Sequence, residues 1–212
     1  ILYNLAFYCG FRRGEAKGLR LKDIFPDTPV IAQLRPYAGH SLKTESAKRK
    51  VFLEWLPSSL SKKVSIIVGN NRHSDQTLIQ AYSGVPFISS LYEKANNLIQ
   101  RFFSDPTLTV HSLRHSYTSL NLLKLMAGPL RMHDLSGMSS LIDDVLPEAS
   151  VFTKSLIGHL NPSAKLLWSL SKSVGHSDPS TTLRSYTHSL DILTFYGYAY
   201  SRPQGYYART CE

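Results

Sequence analysis

Two histidines four residues apart, His111 and His115, have the spacing at which one helix face presents two imidazoles to a zinc ion. The metalloprotease form of that pattern needs a glutamate directly after the first histidine. Ser112 stands there instead, so no metal is expected. Neither G-x-x-x-x-G-K-[ST] nor G-x-G-x-x-G occurs, which removes the phosphate cradles of nucleotide hydrolysis and dinucleotide redox chemistry; no cofactor is expected. Four other segments carry side chains suited to chemistry. Gly10-Phe11-Arg12-Arg13-Gly14-Glu15 sets a glutamate three residues after an arginine at a turn into a helix. Lys43 opens a basic turn, His111-Ser112-Leu113-Arg114-His115 adds an arginine between two histidines, and Val174-Gly175-His176 is followed ten residues later by Tyr186.

Taken together and in this order, these segments resemble the catalytic domain of the tyrosine recombinases, the phage-integrase family, over roughly Leu5 to His188. That family carries an arginine in a G-[LF]-R-x-x-E-like box, a lysine in a β-turn, an H-x-L-R-H box, a G-H box and a tyrosine nine or ten residues further on. The run from Gly175 to His188 is the most specific of the matches. Gly158-His159 imitates the G-H box, but Ser169 stands ten residues after His159, where a tyrosine is needed.

The resemblance implies cleavage and rejoining of double-stranded DNA through a 3′-phosphotyrosyl link to Tyr186, a protein nucleophile that conserves the energy of the broken phosphodiester. Arg12 and Arg114 would each donate paired hydrogen bonds to the non-bridging oxygens as charge builds on phosphorus. Lys43 would protonate the leaving 5′ oxygen. His111 would assist proton transfer or hydrogen-bond the phosphate, His176 would donate to a non-bridging oxygen, and Glu15 would brace the Arg12 guanidinium. Arg13, one position out of register, and Lys48, Arg49 and Lys50 are the expected DNA-backbone contacts. A synaptic tetramer on DNA is expected of the full-length protein. A type IB topoisomerase or telomere resolvase would use nearly the same residues, and a non-catalytic DNA-binding module is the reading from another class. An RNA-binding protein would need an aromatic RNP-like strand, of which there is no sign.

The elements that must position these residues read as mainly α with a small antiparallel β-sheet. Ile1 to Tyr8 has the apolar pattern of a helix already under way, broken at Gly10, and Gly14 to Leu19 suggests a second short helix. Because the chain opens inside a helix without methionine, a fragment lacking the family's N-terminal core-binding domain is expected. Val30–Leu34 and Val51–Leu53 read as strands flanking the basic turn from Lys43 to Lys50. From 88 to 103, Ile88, Leu91, Tyr92, Ala95, Leu98, Ile99, Phe102 and Phe103 follow helical spacing, which predicts a packed face. A helix from Val110 to Met126 would turn Leu113, Tyr117, Leu120 and Leu123 inward; further helices are expected over Leu166–Val174 and Ser180–Leu190.

The chain has 212 residues, 42% of them hydrophobic and 18% charged, a globular composition with room for a sizeable core. No run of apolar residues is long enough to span a membrane, no signal peptide is visible, and Cys9 and Cys211 at opposite ends suggest neither a disulfide framework nor a metal site. A cytoplasmic location, in a bacterial, archaeal or phage-encoded setting, is expected. The formal charge is +9, and eight of those surplus charges fall within the first 120 residues. Such a basic half favours a polyanion, because each cation set against a phosphate releases condensed counterions. Residues 128–165 hold three basic and four acidic side chains and read as a near-neutral insertion within a catalytic domain over 1–190, with a tail from 191 to 212.

Overall fold

The computed structural model describes residues 1–27, 29–53, 55–87, 89–127, 149, 151–154, 156 and 165–185. Described residues are mostly helical, with one small antiparallel sheet. The chain divides into two compact units, Ile1–Tyr117 with Lys172–Ser177, and Thr118–Ser171 with Asp178–Glu212. Among the described residues no helix is long and apolar enough to cross a membrane.

In the first unit, α1 (Leu2–Cys9) ends at Gly10, whose φ of 65° lets its own N–H and that of Phe11 turn back to the carbonyls of Ala6 and Leu5. Glycine is required there twice over, since a Cβ would also stand 2.6 Å from the Tyr117 ring. The next helix, α2 (Arg13–Gly18), has Arg12 as its N-cap residue; the Arg12 N–H donates to Glu15 Oε2 at 2.7 Å, so the glutamate three residues on closes the helix start.

Strands β1 (Ile24–Phe25), β2 (Ile31–Leu34) and β3 (Arg49–Phe52) form the sheet in that order, both pairs antiparallel. Leu34 pairs with Arg49, Gln33 with Lys50 and Ala32 with Val51. Because side chains alternate along a strand, this register puts Arg49 on the same inward face as Ala32, Leu34 and Val51, and Lys50 on the other. The basic turn read over Lys43 to Lys50 is therefore shorter than expected: Glu45–Ala47 coil into a 3-10 turn and β3 begins at Arg49. Strand β1 is too short to show a period in sequence.

Helices α3 (Ser58–Gly69) and α4 (Leu78–Ser83) were not anticipated, although Leu60, Val64 and Val68 recur every fourth residue and bury one face of α3. The apolar stripe of α5 (Ser89–Phe103) departs from its expected role. Ala95 and Ile99 are buried beside Ala6 and Val110, whereas Leu98, Phe102 and Phe103 are 60%, 82% and 58% exposed; Ile88 lies outside the described residues. Periodicity tells which residues share a face, and not how wide a strip of it a neighbour covers. Helix α6 (Val110–Ala127) likewise turns further than its leucines suggest. Tyr117 and Leu123 are buried as expected, Leu113 and Leu120 only partly, and Arg114, Thr118 and Asn121 occupy the inward face.

Helix α7 (Lys165–Ser173) belongs to the second unit as far as Ser171 and to the first from Lys172, and α8 (Pro179–Ser185), in the second unit, follows it after a tight turn. Asp178 precedes α8 and accepts from the Thr181 N–H at 3.2 Å and from the Ser180 hydroxyl, while Pro179 takes the first helical position, where no N–H is needed. Thr182, fully buried, pairs with Ser171 at 2.8 Å and ties α8 to α7. The anticipated helix over Ser180–Leu190 is described as far as Ser185. Of the expected insertion at 128–165, residues 149, 151–154 and 156 are helical and α7 starts at Lys165; the rest lies outside the described residues, as do Gly158-His159 and the 191–212 tail.

Candidate active site

Glu15 is the hub of the first unit's polar interior. Its side chain is 3% exposed and meets three arginines from three elements. Arg12 Nη1 donates to Oε1 at 2.9 Å. Arg49, arriving from β3, forks onto the carboxylate with Nη1 at 2.7 Å from Oε1 and Nη2 at 3.0 Å from Oε2. Arg114, from α6, brings Nη1 to 3.9 Å of Oε2. Burial by itself would raise the pKa of Glu15. The charge and hydrogen bonds of Arg49, the charge of Arg114 and the Arg12 amide outweigh it and bring the carboxyl down to about 2.

The same three guanidiniums close the end of α7. A helix leaves its last carbonyls without partners, and its C-terminus carries partial negative charge. Arg49 Nε donates to the Ser173 carbonyl at 2.8 Å, Arg114 Nη2 to that of Val174, and Arg12 Nη2 to that of Gly175 at 3.1 Å. Ser46 Oγ adds a second donor to the Gly175 carbonyl at 3.0 Å, and Arg114 Nη1 donates to Gly10. Gly175 itself has a φ of 70°, and a Cβ there would stand 2.8 Å from Arg49 Nη1, 3.1 Å from Arg12 Nη1 and 3.2 Å from the Ala47 Cα. His176 thus follows a turn in which three consecutive carbonyls are each held by a different arginine.

Around this cluster, His111 sits exposed on the first turn of α6 with its ring edge-on to His115, centroids 4.9 Å apart. Partial desolvation, followed by the positive charges of His115, Arg114, Arg12 and Lys43, lowers its pKa, which favours the neutral imidazole. Lys43 is exposed and has no hydrogen-bond or ion-pair partner among the described residues. Its neighbours differ: Lys48 is paired with Glu45 at 2.5 Å, and Lys50 points outward from β3. Arg13 is exposed, donates to Ser89 Oγ at 3.3 Å and lies over the Tyr92 ring at 4.3 Å.

Three of the expected site residues, Arg12, Glu15 and Arg114, are therefore brought together with the segment that precedes His176, and the charge of Lys43 reaches His111. Arg49 departs from expectation. Its side chain is 6% exposed and engaged with Glu15, Ser173 and Ala47, so it is not placed as a backbone-binding cation. Arg114 is 1% exposed and donates to two carbonyls, so Arg12, its side chain 18% exposed, is the more accessible guanidinium of the pair. Tyr186 lies one residue beyond α8 and outside the described residues. Ser46 and the structural part played by Arg49 are additions the sequence reading lacked. The alternation Arg49-in, Lys50-out, Val51-in is the signal that carries the latter. Among the described residues no group of three or more His, Cys, Asp or Glu side chains could hold a metal ion.

No family model matches the chain, and no curated protein does. Among solved structures it is similar to the integrase of the Tn1549 transposon, determined in complex with transposon right end DNA, with 16% identity and a TM-score of 0.46. The match covers 91% of this chain and 56% of that one, so the chain spans little more than half the length of that solved chain. A likeness this distant does not carry residue roles from one chain to the other.

Proposed function

We propose that this chain cleaves and rejoins double-stranded DNA as a tyrosine recombinase, through a 3′-phosphotyrosyl intermediate on Tyr186. The observation that carries this reading is the convergence of its motifs: Arg12, Glu15, Arg114 and the Gly175–His176 turn, as much as 163 residues apart in sequence, share one hydrogen-bonded cluster. Chance matches to short motifs have no reason to meet in space.

In the reaction, the Tyr186 oxygen attacks phosphorus, the bond to the 5′ oxygen breaks, and the strand's 3′ phosphate is left esterified to the protein. Arg12, with Arg114 beneath it, supplies positive charge to the phosphate as its negative charge grows. His111, whose neutral form is favoured by partial desolvation and its cationic surroundings, is suited to accept the tyrosine proton. Lys43, exposed and without a hydrogen-bond or ion-pair partner among the described residues, gives a proton to the departing 5′ oxygen. Rejoining is the reverse, with a 5′ hydroxyl displacing the tyrosine.

The test is a nicked duplex from which the leaving strand diffuses away, trapping the covalent adduct. The purified chain should form a denaturant-resistant protein–DNA species, and Tyr186→Phe should abolish it while duplex affinity stays within about twofold, because only the nucleophile is lost. Adduct formation by the Phe variant would overturn the assignment.

A further inference from the structure

Arg49, its side chain 6% exposed, is bonded to Glu15 and to the Ser173 and Ala47 carbonyls, and the reaction just described gives it no task. Its guanidinium spans two things that catalysis would need in register: the carboxylate that grips Arg12, and the end of α7 from which His176 departs. A planar fork anchored in a strand is suited to this, since both of its ends are fixed by one rigid group. The strand in turn is fixed by pairing, with Leu34 opposite Arg49 and Val51 beside it on the buried face. Gly175 completes the fit, because no side chain larger than hydrogen could let Arg49 and Arg12 approach that turn so closely.

We propose that Arg49 is a positioning residue, which through Glu15 and the Ser173 carbonyl sets the Arg12 guanidinium and the Gly175–His176 turn against each other without touching DNA. This rests on the phosphotyrosyl reading for its consequence in catalysis, though the linkage itself stands on the geometry. The groups facing Glu15 are Arg12 at the start of α2, Arg49 on β3 and Arg114 on α6, while His40, between β2 and β3, and the paired Asp23 and Arg35 line the same small cavity as Glu15. Removing Arg49 takes away the cation that acts on Glu15 most strongly.

Arg49→Ala and Arg49→Lys would be compared with the unaltered chain on the nicked duplex, reading the adduct rate at saturating DNA separately from affinity. Arg49→Ala should slow the adduct step by about 10²-fold, as expected when reacting groups are misplaced by about an ångström, with affinity and its salt dependence unchanged. Arg49→Lys, keeping charge but not the fork, should recover part of that loss. With Arg49 gone, burial would hold Glu15 protonated at higher pH, so the rate of Arg49→Ala should fall on the acid side of neutrality, where the unaltered chain stays level. Arg49→Ala combined with Glu15→Gln should lose that acid limb. A role in folding alone would lower thermal stability and leave the shape of the pH profile unmoved, which would overturn the proposal. So would weakened affinity with a salt slope reduced by about 0.9, the mark of a lost phosphate contact. If the unaltered chain forms no adduct, the phosphotyrosyl reading fails, and the carboxyl-carbon NMR titration of Glu15 still decides the linkage. An upward displacement in Arg49→Lys or Arg49→Ala supports it, and an unchanged titration overturns it.

Discussion

Glu15 shows how much a single buried carboxylate can carry when its neighbours are chosen for it. An ionised group this deep is tolerated only because its oxygens are occupied by the Arg12 and Arg49 guanidiniums and the Arg12 amide. Its folded pKa of about 2 lies below the unfolded value of 4.5, so the stabilisation it brings is complete above 4.5 and is lost as pH falls through 2. That difference corresponds to a contribution on the order of 3 kcal/mol. Urea unfolding between pH 7 and pH 2.5 should show a declining stability, and Glu15→Gln should be less stable at pH 7 yet show a shallower decline; an equal slope in both proteins would remove Glu15 from that role. At Lys43 the expected outcome concerns the leaving group. If this lysine protonates the 5′ oxygen, a bridging 5′ sulfur, which leaves without a proton, should restore cleavage to Lys43→Ala but not to Arg114→Ala. Rescue of Lys48→Ala or Lys50→Ala instead would move the role along the chain.

At the scale of elements, the end of α7 is where the site is assembled, and it is assembled from outside the helix. Most helices satisfy their last carbonyls locally or with water. Here an arginine from the start of α2, one from β3 and one from α6 each take a carbonyl in turn, so that a strand, two helices and a turn are locked by groups whose charge also complements the helix end. Gly175→Ala tests this directly. The left-handed φ and the 2.8 Å approach to Arg49 should together cost about 2 kcal/mol or more in stability, measured by chemical denaturation, and the adduct rate should drop with affinity for duplex retained. Full activity of Gly175→Ala would mean that the turn is free to shift and that the arginines do not hold it. The α5 face that carries Leu98, Phe102 and Phe103 illustrates the opposite situation, an element whose amphipathic pattern is plain and whose outer half is left uncovered.

For the molecule as a whole, the charge of +9 is unevenly available. Arg49 and Arg114 are buried, and Lys48 is paired with Glu45, so the cations of the first half that face solvent unpaired are fewer than the count suggests. Lys43 and Lys50 are two that remain. If this surface meets DNA, log K should fall linearly with log salt, and replacing Lys43 or Lys50 by Ala should each reduce the slope by about 0.9. Neutralising Arg131, Lys154 and Lys165, in the near-neutral stretch, should leave it unaltered. Affinities measured across a salt series decide this: a flat dependence argues against backbone binding, and a slope reduced by those three changes would put that stretch on the DNA.

Some of the local geometry around the candidate site was legible in the residues alone. The Arg12–Glu15 spacing marks a turn into a helix and Gly10 marks the break before it, because each of these is a local event governed by backbone geometry within a few residues. The sheet was legible in outline for the same reason, from β-branched runs around a polar turn. What only the tertiary structure decided is which cations are spent inside. Lys48, Arg49 and Lys50 are adjacent and alike in sequence, yet one pairs on the surface, one is buried on Glu15 and one faces out. Alternation along a strand separates neighbours by face, but the choice of inward face was made by the pairing of β3 with β2 and by a buried carboxylate more than thirty residues away that needed a guanidinium.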